Sequence, residues 1–262
     1  MDMKEHLIEI HEQAKKWVEE IIPFIKESIL TKLTVDTKSS ANDLVTNVDK
    51  AVESHFRAKI QETYPTHGII GEEHGYEGVK GSFDSIWVID PIDGTTNFVK
   101  QKDYFCVLVS YYEKDIGELA YLYDVMNDDF YYAMNGQGAY LNGQRLEKPK
   151  EITLSEGLVS ANISSWSKKD IFQELLQKSF DIRYFGCGGI DSIHVFNGKF
   201  AAFVNSKSGP WDLAAQLIFA KELGLKTSTF NGGPVDYATG GDWILANEGC
   251  YDEVLEITKR FF

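Results

Sequence analysis

Leu7, Ile10, Ala14, Trp17, Ile21 and Ile25 recur at gaps of three and four, so residues 4–30 are expected to form an amphipathic helix. Pro23 falls inside that pattern and predicts a kink or an early break. The next stretch, TKLTVDTKSSANDLVT, mixes Thr and Val with Ser, Asn and Asp. It suggests a short extended piece and then an exposed polar loop around Lys38 to Asn42. Val48, Val52, Phe56 and Ile60 mark a second helix over 47–63, and Pro65 follows as a stop signal. Gly68-Ile69-Ile70-Gly71 then leads into Glu72 and Glu73, and Ser85-Ile86-Trp87-Val88-Ile89 leads into Asp90. Both runs predict buried strands whose carboxyl ends deliver acidic residues, where ligands of open sheets sit. Segments 105–112, 116–123 and 130–134, rich in Val, Leu and Tyr, predict successive strands, and Asn142-Gly143 predicts a tight turn.

The later chain alternates. A strand near 158–161 precedes a helix near 168–179, and a short strand at 182–185 leads to Gly186-Cys187-Gly188-Gly189 and a helix to about Asn197. Phe200 to Val204 is expected as a strand. Pro210 is expected to open a helix through Asp212, Ala215, Ile218 and Phe219 to Leu223, with Gly224 after its last turn. Ile244-Leu245-Ala246 and 252–260 predict a last strand and a last helix. Strands and helices mixed throughout imply sheets covered by helix layers. No repeat or linker divides the chain, so one domain over 1–262 is expected, with a soft division into 1–145 and 146–262.

Composition narrows the function classes. The 262 residues are 43% hydrophobic and 13% aromatic, which suits a globular core and excludes a disordered or collagen-like chain. With 26 basic and 40 acidic side chains the net charge is −14, which repels phosphate backbones and argues against broad nucleic-acid binding. Small anions stay open, because bound cations invert the local sign. Cys106, Cys187 and Cys250 are too few and too far apart for a disulfide framework or a Cys-rich zinc site, and they point to a reducing compartment. The start, MDMKEHLIEIHEQAKKW, is too charged for a signal-peptide core, and no run of 18 apolar residues exists, so a cytoplasmic location without a membrane partner is expected.

The densest chemical signal is Asp90-Pro91-Ile92-Asp93-Gly94-Thr95-Thr96. Pro91 stiffens the turn, Gly94 permits close backbone approach, and Thr95 and Thr96 are candidate caps of a helix whose free N–H groups can hold an anion. Taken alone, Asp90 and Asp93 could simply cap a turn. Glu72 and Glu73 end the other buried strand, and carboxylates that converge repel unless a cation holds them. Their ligand atoms are all oxygens, which favours Mg²⁺, Mn²⁺ or Ca²⁺ over zinc. Trp211-Asp212-Leu213 adds an acid at the start of a helix, where pairing with the dipole is the plain structural alternative.

Together, GEE at 71–73, WVIDPIDGTTNF at 87–98 and GPWDLAA at 209–215, with Lys38-Ser39-Ser40, Asp43-Leu44-Val45-Thr46 and Asp49, resemble the signature set of the inositol monophosphatase family, in a bacterial-type member. The resemblance implies an α+β fold, the layered αβαβα sandwich shared with fructose-1,6-bisphosphatase. It implies a Mg²⁺-dependent, lithium-sensitive phosphomonoesterase, commonly a homodimer, with two or three ions per site and Mn²⁺ as an alternative. It also assigns residues. Glu72, Asp90 and the Ile92 carbonyl resemble the first metal's ligands, and Asp90, Asp93 and Asp212 the second's. Asp49 and Thr95 resemble the dyad that activates the attacking water. The Gly94 and Thr95 amides would cradle the phosphate, and Lys38 lies in what resembles a mobile catalytic loop tied to a third metal.

Substrate choice departs from the better-studied inositol enzymes. Seven positions before Asp212, where they carry an acid that contacts sugar hydroxyls, this chain has Asn205, and the wall reads Gly186-Cys187-Gly188. A less acidic wall implies broadened specificity, with inositol monophosphate as one substrate. NADP(H), fructose 1,6-bisphosphate and nucleotide phosphatases of the family are the alternatives. From other classes, a catalytically silent ligand-binding protein and a calcium-stabilised structural protein compete, but no EF-hand pattern is present.

Overall fold

The structure, a computed structural model, describes residues 3–31, 33–37, 44–77, 83–163 and 169–261. Lys38, its polar loop to Asn42, and Asp43 lie outside the described residues. The chain opens with α1 (Met3–Ser28), a two-stranded ribbon of β1 (Val35–Thr37) and β2 (Leu44–Thr46), and α2 (Asn47–Thr63). The strands β3 (Gly68–Gly71), β4 (Gly75–Glu77) and β5 (Ser85–Asp93) lead to the short helix α3 (Thr95–Lys100). The meander β6 (Cys106–Glu113), β7 (Ile116–Asp124), β8 (Asp129–Met134), β9 (Gly138–Leu141), β10 (Gln144–Arg145) follows. These strands form an eight-stranded sheet in the order β10-β9-β8-β7-β6-β5-β3-β4.

The remaining elements are β11 (Leu158–Asn162), α4 (Lys169–Lys178), β12 (Asp181–Arg183), α5 (Gly188–Phe196), β13 (Ala202–Ser208), α6 (Ala214–Glu222), β14 (Lys226–Thr229), β15 (Gly241–Ala246) and α7 (Tyr251–Phe261). Their strands form a second sheet in the order β12-β11-β13-β15-β14.

Alternation along the strands explains the layering. Ile69, Trp87, Ile89, Val107 and Val109 pack under α1 and α2. Their neighbours Ile70, Ile86, Val88 and Leu108 face the opposite way and pack on α5 and α6 through Ile190, Phe196, Ile218 and Phe219. The same middle layer receives Phe203, Trp243 and Leu245 from one face of the second sheet, while Val204, Ile244 and Ala246 on its other face meet α4 and α7. Three apolar cores between five layers give the expected αβαβα sandwich.

Several elements differ from the sequence expectation for local reasons. Helix α1 runs unbroken through Pro23. A proline inside a helix costs about 3 kcal/mol. Ile21, Ile22 and Ile25 are buried around it, at about 1.5–3 kcal/mol each, and hold the helix together. The helix expected from Pro210 begins only at Ala214; Trp211, Asp212 and Leu213 form a turn before it, closed by the Ala214 N–H donating to Pro210 O at 3.0 Å. Gly94, not Thr95 or Thr96, occupies the cap of α3. The ribbon β1–β2 and strands β4, β9, β10 and β14 are too short to show a period of two in the sequence. Asn142 and Gly143 turn between β9 and β10 with φ of 49° and 81°, as their pairing predicts.

Candidate active site

The parallel pairing of β3 with β5 sets Gly71 opposite Ile89, so the residues that follow, Glu72 and Asp90, emerge side by side. The Glu72 N–H donates to Ile89 O at 3.3 Å. Asp93 would ordinarily point away from Asp90, because a spacing of three along a strand changes face. The β5–β6 ladder resolves this. Asp90 pairs with Leu108 and Asp93 with Cys106, so β5 carries one extra residue at Pro91-Ile92. Such a bulge is one of the few places a strand tolerates proline. It turns Ile92 into the core beneath α2 and returns Asp93 to the face that Asp90 occupies. The Ile92 N–H then donates to Asp90 Oδ1 at 3.1 Å.

Gly94 follows with φ of 88°, a left-handed conformation that an L side chain rarely adopts. It starts α3 at the rim. Thr95, the first helical residue, donates its hydroxyl toward Asp49 Oδ1 and Ile92 O, each at 3.0 Å. Asp49 is fully buried and belongs to a capping box at the start of α2: the Thr46 N–H donates to Asp49 Oδ2 at 2.9 Å, and the Thr46 hydroxyl bonds the same oxygen. One helix cap thus fixes the carboxylate that holds Thr95.

Glu72, Asp90, Asp93 and Asp212 line one cavity of about 200 Å³, with Ile92, Gly94, Thr95 and Thr96 on the α3 side and Leu44 and Gly186 closing it. Asp212 is itself oriented by the Gly209 N–H, which donates to its Oδ2 at 2.6 Å. No lysine or arginine stands among these lining residues. Burial, and then the neighbouring Glu72, Asp93 and Asp212 carboxyls, push Asp90 well above the usual carboxylate range. Burial also raises Asp93, against the N–H groups of Gly189 and Gly188, and raises Asp49 against its Thr46 and Thr95 bonds. Two like charges 4 Å apart repel by about 4 kcal/mol at an effective dielectric of 20. A cluster of oxygen donors, with no lysine or arginine among the described residues that line it, suits a hard divalent cation.

Of the sequence candidates, the fold therefore brings Glu72, Asp90, Ile92, Asp93, Gly94, Thr95 and Asp212 to one cavity, and Asp49 reaches it through Thr95. Cys187 and Gly188 stand behind Asp93: the Gly188 N–H donates to Asp93 Oδ1 at 3.3 Å and the Cys187 thiol to Asp93 O at 3.3 Å. Asn205, on β13, is buried and donates through Nδ2 to Ser208 Oγ at 2.8 Å; it is not among the residues lining this cavity. Sequence reasoning passed over Glu53. This wholly buried residue accepts from Arg57 Nε at 2.7 Å, the Glu73 N–H at 2.6 Å and the His74 N–H at 3.2 Å. It thereby holds the turn that presents Glu72. A Cβ on Gly71 would come within 2.2 Å of its Oε1, which explains the glycine that opens GEE. The signals were present as the Thr46/Asp49 cap spacing and the Glu53/Arg57 pair one helical turn apart.

The sequence model of the Inositol monophosphatase family matches residues 5–259. An inositol-1-monophosphatase of Bacillus subtilis is 34% identical over 260 residues, covering 95% of this chain and 96% of the relative. A Nus factor SuhB of Escherichia coli K12 is 35% identical over 218 residues, 80% of each chain. A solved structure described as an IMPase/NADP phosphatase complexed with Mg²⁺ and phosphate superposes with a TM-score of 0.91 at 34% identity, covering 96% of this chain and 95% of that one.

Proposed function

The chain belongs to the inositol monophosphatase family, and from that premise we propose that it is a Mg²⁺-dependent phosphomonoesterase of small anionic metabolites, with inositol 1-phosphate as one substrate. The observation that carries this reading is the convergence of Glu72, Asp90, Asp93 and Asp212 beside a Thr95–Asp49 pair. Glu72, Asp90 and the Ile92 carbonyl would hold one Mg²⁺, and Asp90, Asp93 and Asp212 a second. Mg²⁺ held there would supply neutralisation of the phosphoryl charge, activation of water and stabilisation of the leaving oxygen.

The chain's own groups do the rest. Thr95 Oγ1 orients the attacking water, and Asp49 Oδ1 receives the proton that passes through that hydroxyl. The N–H groups opening α3, at Gly94 and Thr95, face the phosphate, since the first amides of a helix have no partner within it. Gly186 supports the opposite wall, with Cys187 and Gly188 behind it. Asn205 lies outside the residues that line this cavity, and its neutral amide supports a role in shaping the substrate wall rather than in direct contact. Lys38 lies outside the described residues, and its catalytic role rests on the family resemblance alone.

NADP(H) is the second substrate class, favoured by the neutral Asn205 and by the dual naming of the similar structure. Both sheets would act as one phosphatase domain, because the cavity takes acids from the eight-stranded sheet and from the turn before α6. A homodimer rests on the family membership, and the exposed rings of Tyr104 and Tyr184 offer apolar surface for it, with Phe185 against Tyr104 at 5.3 Å between ring centres. Three free thiols support the cytoplasm as location.

The test is Mg²⁺-dependent phosphate release from inositol 1-phosphate, fructose 1,6-bisphosphate, a 3′-phosphonucleotide and NADP. Turnover that a chelator abolishes, lithium lowers and Asp93→Asn removes is expected. A chain that binds Mg²⁺ yet releases no phosphate from any of the four would be a binding protein.

A further inference from the structure

Two thiols and a carboxylate meet directly behind the acid cluster. Cys106 pairs with Asp93 across the β5–β6 ladder, and Cys187 caps α5. Their sulfurs lie 3.7 Å apart although 81 residues separate them in the chain. Cys106 Sγ stands 3.7 Å from Asp93 Oδ2, and one ligand atom from each of the three residues lies within 4.8 Å of the others. Cys106 is 0% exposed and Cys187 2%.

The spacing is that of thiols in van der Waals and weak hydrogen-bond contact, and the same dimensions suit a coordination site. Two thiolates on a tetrahedral zinc with Zn–S near 2.3 Å stand about 3.8 Å apart, and a thiolate and a carboxylate oxygen about 3.6 Å. Gly189 lets the sulfur and the carboxylate stand this close to α5, since a Cβ there would lie 2.3 Å from Cys106 Sγ and 3.0 Å from Asp93 Oδ2. Asp93 also lines the cavity, and Gly94, the next residue on its wall, packs against Cys187, where an added Cβ would come 3.0 Å from Cys187 Cβ. A disulfide would require the sulfurs to close to about 2.05 Å and an oxidant to reach them.

We propose that Cys106, Cys187 and Asp93 form a binding site for a thiophilic divalent cation of the zinc type, separate from the all-oxygen cluster except for its use of Asp93. Each thiol loses its proton to solvent as its metal–sulfur bond forms, since a coordinating thiol is deprotonated outright. The Asp93 carboxylate cannot serve both ions in full. Zinc at this site therefore withdraws a ligand from the oxygen cluster, and it opposes Mg²⁺ there without occupying the oxygen-lined cavity itself.

The test uses metal-free protein kept reduced by a phosphine, titrated with Cd²⁺ alone as the probe. A thiolate-to-metal charge-transfer band in the ultraviolet should grow and saturate near one ion per chain. The Cys250→Ala variant should keep it, while Cys106→Ala and Cys106→Ser, checked for folding by circular dichroism, should weaken Cd²⁺ binding by at least about tenfold. No band in the unaltered protein, or an undiminished band in both Cys106 variants, overturns the site. Zinc inhibition at fixed excess Mg²⁺ forms the second arm. Relief by added Mg²⁺, with a half-inhibitory concentration raised at least about tenfold in Cys106→Ser, supports the shared Asp93. Equal zinc sensitivity in both proteins overturns the antagonism. The absorption arm reads the site even if none of the tested phosphates is a substrate, so the two readings fail separately.

Discussion

Glu53→Ala should unsettle the acid cluster from a distance. Glu53 is fully enclosed and accepts from Arg57, whose side chain is 8% exposed, and from the N–H groups of Glu73 and His74. Removing one partner of a buried ion pair costs about 3–5 kcal/mol, because the other charge stays enclosed. For a chain of this length each kcal/mol moves the melting temperature by about 2–4 °C, so a fall of about 6–20 °C is expected by circular dichroism. Because the same carboxylate anchors the turn that carries Glu72, the Mg²⁺ concentration for half-maximal phosphate release should rise about 10–100-fold. Replacing both partners, Glu53→Leu with Arg57→Leu, should recover part of the melting temperature and none of the Mg²⁺ affinity, since the Glu73 and His74 amides still lose their Glu53 acceptor. A drop below about 3 °C for Glu53→Ala would refute the buried-pair reasoning. A full drop with unchanged Mg²⁺ dependence would refute the link to Glu72.

Thr95→Val keeps the shape of the side chain and deletes the hydroxyl bonded to Asp49; kcat should fall about 10²–10⁴-fold with little change in melting temperature, and Thr95→Ser should restore most of it. Asp49, Asp90 and Asp93 are held above the ordinary carboxylate range in the metal-free fold, so the native state keeps protons that the unfolded chain has already released. Their stabilising contribution is complete below the ordinary range and is lost as pH rises through the raised values. Chelated protein should therefore melt lower at about pH 8 than at about pH 5, and added Mg²⁺ should close that gap; a flat profile in thermal scans would contradict it.

The long elements were legible because their periods are long enough to read. The heptad-like spacing in α1, the face of α2 and the meander β6–β8 appear where the apolar pattern places them. The acid cluster was legible for a different reason: Glu72 and Asp90 end neighbouring strands, and Asp212 sits beside a proline-marked turn. What stayed hidden depends on contacts between distant residues. The bulge that returns Asp93 to the face of Asp90 shows only in the pairing with β6. Glu53 looks like an ordinary helix-surface acid until the turn after β3 folds over it. Cys106 and Cys187 look isolated in sequence, and only the stacking of α5 against β6 sets them 3.7 Å apart. Asp212 precedes its helix instead of entering it, because the Gly209–Leu213 turn satisfies its own N–H groups first.

The bulge in β5 also constrains how such a protein can change. Asp90 and Asp93 share a backbone with Trp87, Val88 and Ile89, which fill two cores, so any shift that moves one acid drags a buried strand with it. The opposite wall hangs from different supports: the loop after β12, the start of α5, and β13, which carries its own irregularity between Asn205 and Ser208. Those pieces can be lengthened, tilted or recoloured in charge while Glu72, Asp90 and Asp93 stay where the ladder pins them. Glu72, Asp90 and Asp93 thus keep their mutual positions through the strands of one sheet, whereas Asp212, carried by the turn after β13, is the acid that a change in the second sheet would move.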